Sequence, residues 1–293
     1  MPAPDTIAIG WDGLEVELLP ELGARVHRIR AYGHDLLRTP PRTDAHRDEP
    51  FFWGAYPLAP WCNRVRPGPQ AVAGRTVDLA PNFEDGSAIH GLVAGVPWRS
   101  RGPGRLDVAI DTDRWPWPFA VRLQAGVGGT TLRLRYRLVN RSDAPMPAGL
   151  GLHPWFRAPL EIRLPARTVY RSNADSPPTP AAVDGRFDLA GRTPPPVDLD
   201  ATWADLDEPL VELAWPDMGI VARLSAATSA PAVLVALASP AELGAVAVEP
   251  QTHGPDPLRR LALGEPDAPI LLRPGAALTL DLRLEVALAR NLR

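Results

Sequence analysis

Proline and glycine recur throughout this chain at intervals too short for long helices. The 293 residues include 36 prolines and 24 glycines, and a proline ring removes a backbone donor and clashes with the preceding turn of a helix. Between these breakers, apolar residues often alternate with polar ones, which is the two-residue period of a half-buried strand. We therefore predict a mainly β fold.

The clearest strand patterns lie near the start, in the middle and at the end of the chain. Leucine or tyrosine alternates with arginine from Leu132 to Leu138, and apolar residues alternate with polar ones from Leu278 to Val286. Near the start, two strand-like segments flank Asp12-Gly13, a dipeptide favoured in tight hairpin turns, and Val26 to Ala31 continues the pattern. These segments predict antiparallel strands, with a meander at the start.

Two proline-rich stretches, 176–180 and 193–196, could be read as a linker between domains. The strand-like character and the composition are the same on both sides of them. A chain of this length and apolar content can bury one large core. We therefore expect residues 1–293 to form a single domain, a large antiparallel β-sandwich.

Composition excludes several classes of function. The net charge is −3 and the charges are interspersed, so no basic patch for nucleic acid or a membrane surface is present. Cys62 is the single cysteine, which excludes an intrachain disulfide and a multi-cysteine metal site. All 31 basic residues are arginines, which excludes lysine Schiff bases and the phosphate loop that needs lysine.

Segments that would direct the chain to or across a membrane are not evident. The first residues lack the basic and apolar regions of a signal peptide. The longest apolar stretch, Pro231 to Val248, is interrupted by Pro240 and Glu242. We expect a cytoplasmic protein whose partner is a small neutral molecule.

Chemistry-bearing residues fall in four short clusters, each beside a turn-forming residue: Asn63-Arg64, His90-Gly91, His153-Pro154 and Glu249-Pro250. We interpret 149–156 as a sharp turn that holds His153 rigidly, with Glu249 as its partner. A histidine and a carboxylate close together can act as general acid and general base. Taken singly, each cluster is more often an ordinary turn, core or loop residue, so the joint pattern carries the hypothesis.

That joint pattern resembles the aldose 1-epimerase (galactose mutarotase) family. The resemblance rests on four segments in the family's order and approximate spacing: 63–68 (NRVRPG), 89–91 (IHG), 151–156 (GLHPWF) and 248–252 (VEPQT). It extends from Gly23 to Gly275. It implies a galactose mutarotase-like antiparallel β-sandwich with a shallow sugar cleft, in agreement with the strand patterns.

The resemblance also implies roles for individual residues. Glu249 would be the general base and His153 the general acid, and neither a cofactor nor a metal would be needed. Partial burial would raise the pKa of the glutamate, and the nearby carboxylate would keep the histidine protonated. The implied substrate ligands are Asn63, Arg64, His90, Asp200 and Gln251.

Departures from the family pattern leave other readings open. Trp155 stands where tyrosine is usual, His253 adds an imidazole, and 92–94 lack the arginine typical of hexose-6-phosphate mutarotases, which favours an unphosphorylated sugar. Three alternatives remain besides a hexose-phosphate mutarotase. They are a non-catalytic sugar-binding protein, a glycosidase using Asp200 with Glu249, and a metal enzyme using His90, His153, Glu249 and His253.

Overall fold

A computed structural model describes residues 3–10, 13–172 and 177–289, and strands dominate these ranges. The strands, in chain order, are β1 Ile7–Ile9, β2 Leu14–Leu19, β3 Arg25–Ala31, β4 His34–Asp35, β5 Ala55–Leu58, β6 Arg64–Val65, β7 Gln70–Val72, β8 Arg75–Val77, β9 Ala88–Ile89, β10 Arg99–Ser100, β11 Arg105–Thr112, β12 Trp115–Gly128, β13 Thr131–Asn140, β14 Met146–Ala148, β15 Gly151–Arg157, β16 Glu161–Leu164, β17 Ala166–Arg171, β18 Pro180–Ala182, β19 Leu189–Thr193, β20 Asp200–Leu206, β21 Val211–Trp215, β22 Ile220–Thr228, β23 Leu234–Ala238, β24 Ala245–Gln251, β25 Ile270–Leu272 and β26 Ala277–Leu288.

Helices in the described ranges are short. They are the α-helices α1 Ala45–Asp48 and α2 Pro257–Leu263, and the 3-10 helices Pro20–Leu22, Gly185–Phe187 and Ala241–Leu243. None of the helices described here has both the length and the apolar character that a membrane span requires.

Two large antiparallel sheets make up most of the molecule. The first follows the order β1-β2-β3-β5-β15-β24-β23-β20-β17-β18, with β4 paired to β3. The second follows β10-β11-β12-β13-β26-β22-β21-β16-β19. The predicted mainly β, antiparallel fold is confirmed, and the predicted meander holds for β1, β2 and β3. The turn residue Asp12 lies outside the described residues.

The hydrophobic core lies between the two sheets. A small cavity of about 30 Å³ lies between the sheets and is lined by residues of both. Val26, Leu152 and Pro250 belong to the first sheet, and Leu132 and Leu282 belong to the second. In β13 and β26 the predicted apolar positions are buried and the intervening positions are more exposed. Alternation therefore identified these two strands correctly, because one face of each packs on the core and the other meets solvent.

The interpretation of 149–156 as a turn is wrong. Residues 151–157 form β15, which pairs with β5 on one side and β24 on the other, so His153 lies within a central strand. Glu249 likewise lies within β24. The local glycine and proline signals are overridden by pairing on both edges of the strand. Pro154 and Pro250 face the core, so His153 and Glu249, one residue earlier, face the opposite side of the sheet.

Candidate active site

A row of side chains crosses the first sheet on the face opposite the core. Tyr56 of β5 is paired in register with His153 of β15. The register between β15 and β24 pairs Gly151 with Gln251 and Trp155 with Ala247, which places His153 beside Glu249. Three separate chain segments therefore bring an aromatic ring, an imidazole and a carboxylate into one line.

His153 and Glu249 contact each other directly. The distance from His153 Nε2 to Glu249 Oε1 is 3.1 Å, and each side chain is 6% exposed. Burial, with a further contribution from Asp200, raises the pKa of Glu249 to about 8, whereas Arg64 acts to lower it. Burial also lowers the pKa of His153 well below its ordinary value, with His90 acting in the same direction.

These shifts confirm the expected direction for the glutamate but not for the histidine. We expected the carboxylate to keep His153 protonated, but burial disfavours the imidazolium and the carboxylate alike. Near neutral pH the His153–Glu249 pair therefore holds one proton, which can sit on either partner across their hydrogen bond. Such a pair is suited to accepting a proton at one atom and donating one at another.

His90 approaches His153 from a loop rather than from the sheet. The two rings are perpendicular with centroids 5.0 Å apart. His90 has a positive φ of 61°, and its backbone N–H donates to the Asn63 carbonyl at 3.1 Å. Burial, assisted by Arg64, lowers the pKa of His90 to about 3. A neutral imidazole is thus aimed at the His153–Glu249 pair.

Asn63 and Arg64 lie on the loop side of the same site. The Asn63 side-chain oxygen accepts the backbone N–H of Arg64 at 2.8 Å, so this amide shapes the turn that presents Arg64. Arg64 Nε donates to Asp85 at 2.8 Å, and its Nη1 lies 3.7 Å from Asp200. Burial lowers the pKa of Arg64, but Asp200, Asp85 and Glu249 outweigh it and the net direction is upward.

Small side chains separate the catalytic candidates from Asp200. Ala236 is paired with Glu249, and Asp200 with Ala238, which in turn is paired with Ala247. Because paired residues share a face, these alanines form a low floor between the carboxylate of Glu249 and that of Asp200. A shallow cleft of this kind leaves room for a flat ring above the sheet.

Several buried polar atoms at this site have no hydrogen-bond partner among the residues that the structure describes. Gln251 is fully buried, and neither its side-chain oxygen nor its nitrogen is paired. The same holds for the second carboxylate oxygen of Glu249 and for Nδ1 of His90 and His153. Buried polar atoms nearly always have partners, so this group is suited to a ligand rich in hydroxyls.

His253 does not join the site. Its Nε2 accepts the backbone N–H of Cys62 at 3.0 Å, so its Nδ1 carries the hydrogen and donates to the Gly254 carbonyl at 2.8 Å. Both ring nitrogens are occupied, and a four-ligand metal shell that includes His253 is not formed. His90, His153 and Glu249 do each offer a ligand atom, within 4.8 Å of one another.

Two residues of the site were missed from the sequence. Asp85 accepts from Arg64 and from the backbone and hydroxyl of Ser87, and Tyr56 stacks on His153 with centroids 4.6 Å apart. Asp85 stands among other acidic and polar residues with no distinguishing pattern. Tyr56 precedes the four motifs, and the alternation that would have placed it on a face is absent from β5, whose residues are all buried.

Comparison with known proteins identifies the family and the fold. A family model described as aldose 1-epimerase matches residues 6–284. A candidate aldose 1-epimerase from Escherichia coli K12 has a TM-score of 0.83 and 19% identity, covering 97% of this chain and 99% of that one. No curated protein sequence matches the chain.

Two further solved structures share the fold. A galactose mutarotase-like protein from Clostridium acetobutylicum has a TM-score of 0.80 and 16% identity, covering 96% of this chain and 95% of its own. An aldose epimerase homologue from C. elegans has a TM-score of 0.79 and 18% identity, covering 97% and 99%. The structural likeness extends over nearly the whole chain in each case.

Proposed function

This chain belongs to the aldose 1-epimerase family, and we propose that it interconverts the α and β anomers of a free aldose by proton transfer at His153 and Glu249. The observation that carries the proposal is the buried 3.1 Å contact between these two side chains. A sugar-binding protein without activity has no need to bury a coupled acid and base in its cleft.

The reaction needs one group to accept a proton while another donates one. For the ring to open, the C1 hydroxyl loses a proton and the ring oxygen gains one; the aldehyde then turns and recloses on its other face. We assign Glu249 as the base and His153 as the acid, with the roles reversed on closure. This chemistry requires Glu249 as the carboxylate and His153 as the imidazolium, a form that arises when the shared proton moves to His153. Arg64 acts to lower the pKa of Glu249, and sugar hydroxyls that donate hydrogen bonds to the carboxylate would stabilise this form further.

The remaining residues orient the sugar. Arg64 presents a fixed fork of donors to two sugar oxygens, and Asp200 and Gln251 offer partners to hydroxyls along the cleft. His90, kept neutral, can donate or accept one hydrogen bond. Asn63 acts through the turn that holds Arg64. No cofactor is needed for this chemistry, because protons are the only species transferred.

The charges around Arg64 favour an unphosphorylated substrate. Asp85 at 2.8 Å and Asp200 at 3.7 Å already balance the guanidinium, so a phosphoryl group placed here would meet two carboxylates as well as the cation. A neutral sugar avoids this repulsion. We therefore expect a higher kcat/KM for glucose or galactose than for the corresponding 6-phosphates.

Polarimetry tests the proposal. Freshly dissolved α-glucose and α-galactose are followed with the wild type, His153→Ala and Glu249→Gln, and Glu242→Gln serves as a control because Glu242 is exposed outside the site. We expect catalysis by the wild type and the control, and a loss of about 10²- to 10⁴-fold in each site variant. Absence of catalysis across a broad panel of aldoses would overturn the enzymatic proposal.

The wild type and its variants also distinguish a mutarotase from a sugar-binding protein, a glycosidase and a metal enzyme. Sugar binding by calorimetry without turnover indicates a binding protein, and release of a new sugar from a glycoside indicates a glycosidase. Because His90, His153 and Glu249 converge, the metal reading is tested directly. Activity that is lost with a chelator and restored by a stoichiometric metal ion would replace proton transfer by metal chemistry.

A further inference from the structure

A buried cluster of basic side chains lies behind the site, among residues to which the proposed reaction gives no role. Arg25, His27 and His46 are 1%, 3% and 2% exposed. Arg25 Nη1 donates to His46 Nδ1 at 3.4 Å, and His46 Nε2 lies 2.9 Å from His27 Nδ1. Since a guanidinium can only donate, His46 accepts at Nδ1, carries its hydrogen on Nε2 and donates it to His27.

Both histidines of this cluster are neutral. Burial, with Arg25 and His27 acting in the same direction, lowers the pKa of His46 to about 2. Burial lowers the pKa of Arg25 to about 10, so its guanidinium remains charged at neutral pH. Its hydrogen-bond partners in the described structure are His46 and two backbone carbonyls, and none is a carboxylate.

A buried cation without a counter-ion is unfavourable. Transferring a charge into the interior costs several kcal/mol unless an opposite charge compensates, and a neutral side chain could donate to the same carbonyls without that penalty. Strongly perturbed buried charges are concentrated at functional sites. The location of the Arg25 charge relative to the reacting groups therefore matters.

Arg25 and His153 both contact the ring of Tyr56. The Arg25 guanidinium carbon lies 4.9 Å from the Tyr56 ring centroid, and the His153 ring is stacked on Tyr56 with centroids 4.6 Å apart. The positive charge is thus one aromatic ring away from the imidazole. In the described structure, the charged or titratable groups around the His153–Glu249 pair are His90, Tyr56, Arg64, Arg25, Asp200 and Cys62.

Arg25 also fixes the loop that borders the site. Side chains capture four consecutive carbonyls of residues 50–53: Arg25 donates to Pro50 at 2.8 Å and to Trp53 at 3.1 Å, Tyr56 and Trp155 donate to Phe51, and Arg38 donates to Phe52. The Phe51 ring in turn lies 6.3 Å from the His90 ring. One guanidinium thereby holds both ends of this short segment.

We propose that Arg25 is a positioning residue of the site, whose buried charge, acting through the Tyr56 ring, favours release of the proton held by the His153–Glu249 pair. The inference rests on the proposed function for its catalytic consequence. A nearby positive charge stabilises the deprotonated pair over the protonated pair, which makes the pair a stronger acid. The two carbonyl bonds keep the charge at a fixed distance.

Two variants separate charge from hydrogen bonding. Arg25→Gln and Arg25→Lys can both donate to the loop carbonyls, but only lysine keeps the charge. We expect Arg25→Gln to raise the apparent pKa of the His153–Glu249 pair by roughly one pH unit. The alkaline limb of the pH profile of kcat, where the pair loses its proton, should move to higher pH, with KM changing less. Arg25→Lys should retain the wild-type profile.

Histidine NMR titration provides a readout that does not need turnover. A wild type that accelerates no sugar defeats the proposed function, whereas the titration of the pair still tests Arg25. The proposal is overturned when a folded Arg25→Gln variant titrates like the wild type, or when Arg25→Lys shifts as far as Arg25→Gln. A merely structural role for Arg25 would lower stability in both variants without moving the pKa of the pair.

If Arg25→Gln does not fold, the Arg25→Lys variant alone can test the coupling between residue 25 and the His153–Glu249 pair. The chain has no other lysine, so Lys introduced at 25 gives one resolvable amine titration. Coupling between two sites is reciprocal, so Glu249→Gln, which removes the negative state of the pair, should lower the pKa of that amine by about the same one unit. An unchanged amine pKa would refute the coupling.

Discussion

Glu249 is held in a protonation state that an exposed glutamate does not keep near neutral pH. Burial raises its pKa from 4.5 to about 8. Because the folded chain holds this proton up to about pH 8 and the unfolded chain releases it near pH 4.5, folding takes up a proton between these values. The contribution of Glu249 to stability is therefore fully present below that window and is lost as the pH rises through it.

This linkage predicts that Glu249→Gln, although it lowers activity, stabilises the protein at alkaline pH. Glutamine resembles the protonated acid and cannot ionise, so the variant avoids a penalty of at most about 5 kcal/mol. We expect its Tm at pH 9 to exceed that of the wild type by at least about 5 °C, with little difference at pH 4.5. Thermal melts across this range measure the effect.

Glu242→Gln is the matched control, because Glu242 is exposed and should show the same Tm difference at both pH values. A Glu249→Gln protein that is less stable than the wild type at pH 9 would contradict the raised pKa. The expected gain also illustrates how a functional residue can be unfavourable for stability: the group that we propose accepts a proton is kept where its charged form is poorly solvated.

At the scale of elements, the turn between β9 and Leu92 fixes the position of His90. Both His90 and Gly91 have positive φ, of 61° and 77°. A Cβ added to Gly91 would lie 1.9 Å from the Ala59 carbonyl oxygen, which itself accepts the Leu92 N–H at 2.7 Å. Glycine is required here both for the backbone conformation and for the close approach of two chain segments.

We therefore expect Gly91→Ala to lower the free energy of unfolding by about 3 kcal/mol or more and to reduce activity by displacing His90. Gly95→Ala, a few residues along the same connection, is the control, because its added Cβ meets nothing within 4 Å and its φ is not positive. Urea unfolding and polarimetry measure both effects. Equal stability of the two variants would show that the turn tolerates a side chain.

How far elements could be predicted depended on their surroundings. β13 and β26 bury one face, so their alternation was readable. All residues of β24, and all but the last of β15, are buried, because loops cover the outer face of the sheet. Without an exposed face there is no alternation of apolar and polar residues, so the glycines and the proline of 149–156 led to the wrong prediction of a turn.

The site residues that lie in motifs were found by family resemblance, whereas Asp85, Tyr56 and Arg25 carry no motif.

At the scale of the whole molecule, the site exists only when distant strands are assembled. Arg64, His90, His153, Asp200 and Glu249 come from five places in the chain, and the first sheet brings β15, β24, β23 and β20 together in an order that local sequence patterns do not encode. A ligand that binds this assembled face binds the folded state alone. Ligand binding must therefore stabilise the entire sandwich.

Because of this linkage, binding of the sugar should raise Tm. At a concentration of about one hundred times Kd, the sugar that is turned over should add about 2.7 kcal/mol of stability, raising Tm by roughly 5 °C or more. Each variant is compared with its own ligand-free Tm. Glu249→Gln should keep the shift because it still binds, and Arg64→Gln should lose most of it because the guanidinium that Asp85 and Asp200 orient is gone.

Sorbitol at the same concentration is the control, because an open-chain polyol stabilises proteins by exclusion from their surface without needing a site for a sugar ring. The shift with the active sugar should exceed the shift with sorbitol in the wild type and match it in Arg64→Gln. In the described structure, Arg64 is the cation held between Asp85 and Asp200. A full sugar-specific shift in Arg64→Gln would therefore place the binding site elsewhere on the molecule.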